Sequence, residues 1–298
     1  MPQRGDQPTY AELRSRIFAA ADSAPVVVGY TRSAAGDAAL RMAAREARSR
    51  GTRLTIVRAA TDIAPGLTPA NGLVGMERDA AIAQLLDLAG HAKSGLKIID
   101  VRVAHEPLAD ALLDASDNAA LLVVGIAASA LPTVATIDLT SRRVIDQARC
   151  PVLVVPEGTP DQPPKAIVCG VARSAAAVGA LQWASCAARR IGVNLLAVHA
   201  PTGNSRGRAP GGISWHAWAR RQVPVEPAVE CADAPTDTAN RLIDIAASEQ
   251  ALLVVGAHPH GEAAERAFVH VVTSQTRVPV VVVGDQSRAS EAAPARTS

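Results

Sequence analysis

Apolar and polar residues follow two alternating periods along this chain. Short apolar runs rich in valine and leucine are typical of strands buried on both faces of a sheet. Between these runs, apolar residues recur every three or four positions, as Leu40, Ala43 and Ala47 do, which predicts amphipathic helices. The alternation of strands and helices predicts parallel sheets with helical crossovers.

The pattern places ten strands and several helices. Strands are predicted near 25–30, 54–57, 98–103, 121–124, 152–155, 166–171, 194–199, 226–230, 251–255 and 279–283. Helices are predicted over 34–50, 76–92, 107–115, 139–148 and 213–222, with a short N-terminal helix over 10–21. The first long helix is expected to end at Gly51, since glycine favours the left-handed conformation that follows a helix.

The chain contains the same unit twice. Residues 120–125 (ALLVVG) recur unchanged at 251–256. Matched pairs lie 141 residues apart at first and 128 apart at the end, as expected for a duplication whose second copy has shorter loops. These pairs are Gly29 and Gly170, Ser33 and Ser174, Leu40 and Leu181, Gly51 and Gly192, and finally Pro151 and Pro279.

The duplication predicts an α/β protein of two doubly wound five-stranded parallel-sheet domains in tandem. We expect an N-terminal extension over 1–24, domain 1 over 25–157, a stiff linker over 158–164, domain 2 over 165–284 and a disordered tail over 285–298. The apolar segments 152–155 and 280–283 of the final strands would be sheet edges, which are hazardous if left bare, so we expect them to pair antiparallel with each other.

Composition narrows the function classes. Hydrophobic residues make up 48% of the chain and aromatic residues only 2%, so Ala, Val, Leu and Ile must build the core. The net charge is +2, and the arginines are scattered along the sequence, so we expect no nucleic-acid partner. No signal-like or membrane-spanning segment is evident, which predicts a cytoplasmic protein without membrane contact.

The cysteines, histidines and tryptophans of the sequence do not point to a metal, cofactor or catalytic site. The four cysteines lie far apart, which predicts reduced, mostly buried thiols; a disulfide or a zinc site is the alternative. His258 and His260, with His270 beyond, suggest a polar loop more than a metal site. Trp215 and Trp218 suggest a packed or partner-facing helix stripe more than a cofactor box. No nucleophile elbow, Walker loop or metalloprotease motif occurs.

An ordered set of motifs resembles the universal stress proteins. It consists of VVVG at 26–29, Arg32-Ser33, LLVVG at 121–125 and ARCPVLVV at 148–155. The second copy keeps the same frame more weakly, and the resemblance spans about 25–284. It implies a Rossmann-like fold related to the adenine nucleotide alpha hydrolases, and a possible homodimer.

The resemblance also implies an ATP site, from which this chain departs. The family's adenine-side Asp falls on Thr31 and Ala172, and the second glycine of its phosphate loop on Ala128 and Pro259. The final Gly-Ser pair falls on Asp138-Leu139 in copy 1, and on Val269-His270 or Arg266-Ala267 in copy 2. Only the first loop glycine is kept, as Gly125 and Gly256, so we expect no tight ATP binding.

Two arginines stand where the family has glycine, Arg32 and Arg173. Each precedes a predicted helix N-terminus, where an anion would be favoured; the alternative is a solvated or cleft-filling side chain. The candidate clefts therefore comprise Thr31, Arg32, Ser33 and Gly125 in copy 1, and Arg173, Ser174 and Gly256 in copy 2.

The function expected from these residues is a non-enzymatic role in stress response or regulation, exerted by binding a small anionic ligand or a protein. One alternative is an ATP-binding, weakly hydrolysing stress protein. The other is a purely structural interaction module whose clefts its own side chains fill.

Overall fold

The computed structural model describes residues 24–60, 99–127, 138–172, 174–199, 213–223, 228–231, 238–257 and 263–284. In the first half these residues form β1 (Val26–Gly29), α1 (Ala34–Arg50), β2 (Leu54–Ala59), β3 (Ile99–Ala104), α2 (Leu108–Ser116), β4 (Leu121–Ile126), α3 (Leu139–Gln147) and β5 (Val152–Pro156). The predicted helices over 10–21 and 76–92 lie outside the described residues.

The second half repeats this order of elements. It contains β6 (Ala166–Val171), α4 (Ala175–Ile191), β7 (Asn194–His199), α5 (Trp215–Gln222), β8 (Ala228–Cys231), α6 (Thr238–Ser248), β9 (Leu252–Ala257), α7 (Ala263–Gln275) and β10 (Val280–Gly284). The shortened helix begins at Trp215 and not at 213, because Ser214 caps it through a hydrogen bond from the Ala217 N–H.

All the described strands join one ten-stranded sheet in the order β3-β2-β1-β4-β5-β10-β9-β6-β7-β8. Each half has the doubly wound order 3-2-1-4-5, and its strands pair in parallel. The halves meet where β5 pairs antiparallel with β10, Val154 opposite Val280 and Val152 opposite Val282. The predicted pairing of the two final strands is confirmed, and it leaves neither apolar strand as a bare edge.

Helices cover both faces of this sheet. α1, α4 and α5 pack on one face, and α2, α3, α6 and α7 on the other. Alternate residues of a strand serve opposite layers, so Val26 and Val28 of β1 face α1 while Val27 faces α2. The core on each face runs through both halves, which makes the two halves one packed body.

Local signals set the ends of the two longest helices. The Ser33 hydroxyl accepts a hydrogen bond from the Gly36 N–H at 3.0 Å and caps α1. Gly51 closes α1 with a φ of 65°, as the sequence predicted, because this left-handed conformation is strained for residues with a Cβ. Ser174 and Gly192 perform the same roles for α4.

Charged contacts join the halves beside the central strand pair. One Glu46 carboxylate oxygen lies 3.2 Å from Arg50 Nε, in the same helix, and 3.1 Å from an Arg190 nitrogen, on α4. The side chains of Arg50, Glu46 and Arg190 are only 5%, 9% and 16% exposed. Arg45, the residue directly before Glu46, pairs with Asp161 of the linker at 2.7 Å.

Candidate functional site: two crevices at the strand switch points

The strand order identifies a candidate site in each half. The order reverses between β1 and β4, and again between β6 and β9. Ligands of doubly wound proteins bind at such switch points, outside the carboxyl ends of the strands. The segment 31–33 follows β1 at the first switch point, and Ser174 takes the matching place after β6.

Thr31, Arg32 and Ser33 are exposed at the mouth of the first crevice. The Ser33 hydroxyl, besides capping α1, lies 3.1 Å from the Thr31 hydroxyl. The Ser174 hydroxyl caps α4 through the Ala177 N–H at 3.2 Å. Both serines therefore already serve the helix N-termini at which a phosphate would bind.

The retained loop glycines serve close packing of strand against helix. A Cβ added at Gly125 would lie 2.2 Å from the carbonyl oxygen of Ala35, and one at Gly256 would lie 2.5 Å from that of Ala176. No side chain fits at these distances. The structure thus brings Gly125 and the 31–33 segment together around the first turn of α1, through backbone contact.

Asp138 occupies the N-terminus of α3. Its carboxylate accepts hydrogen bonds from the Ser141 N–H at 2.9 Å and from the Ser141 hydroxyl at 2.7 Å. The negative charge also interacts favourably with the partial positive charge at the start of the helix. A carboxylate of the chain thus takes the position that the family motif gives to its final Gly-Ser pair. In the second half, α7 begins at Ala263, so both candidate pairs, Arg266-Ala267 and Val269-His270, fall inside the helix.

A polar cluster lies behind the first crevice. The Tyr30 hydroxyl donates a hydrogen bond to Asp37 at 3.0 Å, and the Arg58 guanidinium lies 5.8 Å from the centre of the Tyr30 ring. Tyr30 and Arg58 are only 4% and 3% exposed. Burial, and next the hydrogen bond to Asp37, raises the pKa of Tyr30 to about 12, which keeps the phenol protonated.

Aromatic stacking fills the equivalent region of the second half. The His199 ring, at the end of β7, stacks on the Trp215 ring with centroids 3.7 Å apart, and His199 Nδ1 lies 3.2 Å from the Val171 carbonyl oxygen. Trp218 meets Trp215 edge to face at 5.2 Å. Both tryptophans are 6% exposed, so their side chains pack inside and form no open cofactor box.

The remaining candidate residues are placed as follows. Arg173, Ala128, Pro259, His258 and His260 lie outside the described residues. His270 pairs with Asp146 at 3.1 Å across the two halves. Within the described ranges no group of three or more His, Cys, Asp or Glu side chains is arranged to hold a metal ion.

The described thiols carry no disulfide. Cys150 and Cys169 are buried, and Cys186 is half-buried. Burial raises the pKa of Cys150 to about 12 and raises the pKa of Cys169 as well, so neither is a ready nucleophile at neutral pH. Among the helices that the structure describes, none has the length and apolarity that a membrane-spanning helix needs.

Sequence reasoning missed the residues that line the inner crevices. Tyr30, Asp37 and Arg58 were not singled out, nor was His199. One signal was available: Arg58 interrupts an otherwise apolar strand, and the residue 141 positions later is His199. A polar residue at the same end of the same strand in both copies indicates a shared crevice wall.

The strand order and the two switch-point crevices define a doubly wound α/β protein of the Rossmann-like class. A family model described as the universal stress protein family matches residues 24–156. The first half of the chain thus matches this family, and the second half repeats the same strand order. No curated protein sequence matches the chain.

Two solved structures share the fold over both halves, and a third matches about half of the chain. A universal stress protein from Archaeoglobus fulgidus DSM 4304 matches 88% of this chain and 98% of its own, with a TM-score of 0.65 and 13% identity. A putative universal stress protein from Pseudomonas aeruginosa UCBPP-PA14 matches 92% and 97%, with a TM-score of 0.58 and 14% identity. A universal stress protein solved in complex with cAMP matches 46% and 98%, with 26% identity and a TM-score of 0.34.

Proposed function

We propose that this universal stress protein is a non-enzymatic regulator that acts by binding, and that it does not bind ATP tightly. The observation that carries the proposal is the Asp138 carboxylate at the N-terminus of α3, held by two hydrogen bonds from Ser141. A polyphosphate that binds at this helix N-terminus would have to displace the carboxylate. It would also be repelled by the negative charge of Asp138, which is poorly screened inside a crevice.

The inner crevices support the same proposal. In the first half, the Tyr30 hydroxyl is engaged by Asp37 and the Tyr30 ring by Arg58; in the second, Trp215 covers His199. A ligand would have to break these contacts before it could make its own. Buried free thiols at Cys150 and Cys169 fit action in a reducing compartment such as the cytoplasm.

Calorimetric titration with Mg-ATP tests the proposal. Losing two phosphate hydrogen bonds of about 1.5–3 kcal/mol each weakens affinity by roughly 10² to 10⁴. Counted from a site of micromolar affinity, this loss gives an expected Kd near the millimolar range for the wild type. Asp138→Gly removes the carboxylate and should tighten Mg-ATP binding about tenfold, while the lost cap should cost only a few tenths of a kcal/mol, since glycine is itself tolerated at this position.

Asp117→Gly is the matched control, because Asp117 lies after α2, at the opposite end of β4. It should leave Mg-ATP affinity unchanged. A wild-type Kd below about 10 µM (near −7 kcal/mol), or nucleotide released from the denatured purified protein in mass spectrometry, would overturn the proposal in favour of an ATP-binding stress protein. Steady hydrolysis of ATP would overturn its non-enzymatic part.

A further inference from the structure

Charge is distributed unequally between the two layers of helices. The helices α1, α4 and α5 carry eight arginines against two carboxylates, Asp37 and Glu46, a net charge of +6. The described helices of the other face carry four arginines against five carboxylates, a net charge of −1. Arginines that are scattered in the sequence are thus gathered on one face by the fold.

Six of the eight arginines make an outward surface, which we call the arginine face. On α1 the spacing of Arg41, Arg45 and Arg48 places them on one stripe, where each is partly exposed. Arg189 of α4 and Arg220 and Arg221 of α5 are exposed. Because α1 and α4 touch at the junction of the halves, the face extends across both halves.

The chemistry of the face restricts its partner. Every cation on it is an arginine, whose planar fork matches carboxylate or phosphate. Among the described residues, the exposed large apolar side chain is Leu139, on α3 of the opposite layer, so the face offers a bilayer nothing to insert. Trp183, Trp215 and Trp218 lie in this layer but are buried, so they offer no stacking surface to a base.

A segment of the chain already binds to this face. One guanidinium nitrogen of Arg45 donates to the Asp161 carboxylate at 2.7 Å, and the other donates to the Gln162 carbonyl oxygen at 2.7 Å. Arg45 thus binds a carboxylate together with the next backbone carbonyl. A polypeptide has both groups, whereas a nucleic acid or a lipid headgroup has no such backbone, so this contact favours an acidic polypeptide as partner.

We propose that the arginine face binds an acidic segment of a partner protein. The inference rests on the proposed regulatory function and gives the chemistry of its protein partner. The two fail separately: tight Mg-ATP binding would overturn the proposed function without touching this surface, and a face that binds no acidic peptide would overturn only the present inference.

Fluorescence anisotropy with a labelled poly-glutamate peptide tests it on the full chain. We expect the wild type to bind, more weakly as salt rises. The triple variant Arg189→Gln, Arg220→Gln and Arg221→Gln should weaken the Kd about tenfold, since three exposed charge pairs are lost. The Arg→Lys triple at these positions should fall between the two, because it keeps the charge and loses the fork.

The matched control is the triple variant Arg142→Gln, Arg143→Gln and Arg241→Gln, which makes the same change in net charge on the opposite layer. It should bind the peptide like the wild type. Equal weakening in both Gln triples, or no binding by the folded wild type, overturns the proposal. Face-dependent binding of duplex DNA or phosphatidylserine vesicles without binding of the peptide overturns it as well.

Discussion

The first crevice is lined by charges and the second by aromatic rings, although both halves keep one strand order. Equivalent positions of the two copies lie 141 residues apart, so the linings can be compared directly. Val171 stands in the place of Tyr30, Val178 in that of Asp37 and His199 in that of Arg58. In the first half the Tyr30 phenol contacts both the Asp37 carboxylate, by a hydrogen bond, and the Arg58 guanidinium, which lies over its ring. In the second, the hydrogen bond and cation–π contact are replaced by the stack of His199 on Trp215.

Both halves retain the residues that fix the start of the long helix and its close approach to the neighbouring strand. Ser33 and Ser174 cap the long helices, and Gly125 and Gly256 allow each helix to approach its strand. These positions are fixed by sterics and by unpaired N–H groups, whatever lines the crevice. The comparison teaches that the fold constrains the frame of a switch-point crevice and leaves its lining to vary.

The largest effect is expected from removing the aromatic filling of the second crevice. Trp215→Ala should lower the free energy of unfolding by about 3–5 kcal/mol, because it removes a buried indole and the stack on His199. Guanidinium unfolding followed by circular dichroism measures the change. Leu139→Ala, at a side chain that is 84% exposed, is the control and should leave stability nearly unchanged.

Rescue by a small molecule sharpens this test. The vacated space in the Trp215→Ala variant is lined by aromatic and apolar groups, so added indole should raise its unfolding midpoint and leave the wild type unaffected. A Trp215→Ala variant as stable as the wild type would show that the second crevice is not held by this ring.

The second effect concerns the junction, where the halves again differ. Glu46 forms ion pairs with two arginines, Arg50 and Arg190. The second half has no carboxylate at the equivalent position, which is Ala187. Glu46→Gln should cost about 2–4 kcal/mol, because it leaves two largely buried guanidinium groups without their carboxylate. Thermal and guanidinium unfolding measure it.

Glu106→Gln is the control for the junction variant. Glu106 pairs with Arg102 at 2.6 Å, and their side chains are 35% and 43% exposed. Water solvates both groups when the pair is broken, so the unfolding midpoint should hardly move. Equal losses in the two variants would mean that the Glu46 cluster behaves as a surface ion pair.

The smallest effect concerns the phenol of the first crevice. Tyr30→Phe removes the 3.0 Å hydrogen bond to Asp37, which should cost about 1 kcal/mol. The pKa of Tyr30 is raised from 10.0 to about 12, so the folded state holds its proton more tightly than the unfolded chain does. This stabilisation is complete below about pH 10 and is lost as the pH rises through about 12.

Titration of the phenolate absorbance against pH reports on the first crevice alone, because the second half has Val171 at the position of Tyr30. Of the two tyrosines of the chain, one should ionise near pH 12. The Tyr30→Phe variant should lack this step. Ionisation of both tyrosines near pH 10 in the folded protein would contradict the buried hydrogen bond.

Most elements of this fold could be predicted because their signals are local. The helix over 34–50 is bounded by a capping serine and a closing glycine, and the apolar runs at 121–124 and 152–155 stand out against their flanks. The β5–β10 pairing was predictable because a bare apolar edge needs a partner and because the family resemblance implies pairing through this strand. The start of α5 was misplaced by two residues, because a serine cap is a weaker signal than an apolar period.

The candidate site was predictable only in part. The segment 31–33, Gly125, Ser174 and Gly256 were found through motifs that survive in the sequence. Asp138 was identified as an obstacle to phosphate, but its hydrogen bonds to Ser141 depend on where α3 begins. The contact of Tyr30 with Arg58 depends on the pairing of β1 with β2, which no single stretch of sequence encodes.

The sequence by itself determined the duplicated frame, since short-range periodicity, helix caps and the ordered recurrence of the same motifs specify strands, helices and their order. Only the tertiary structure decided which distant side chains meet. Glu46 and Arg190 are 144 residues apart, and the arginines of α1, α4 and α5 share a face because the antiparallel β5–β10 pair places these helices on one side of the sheet. Such contacts are set by the packing of whole elements, and that packing has no local signature in the chain.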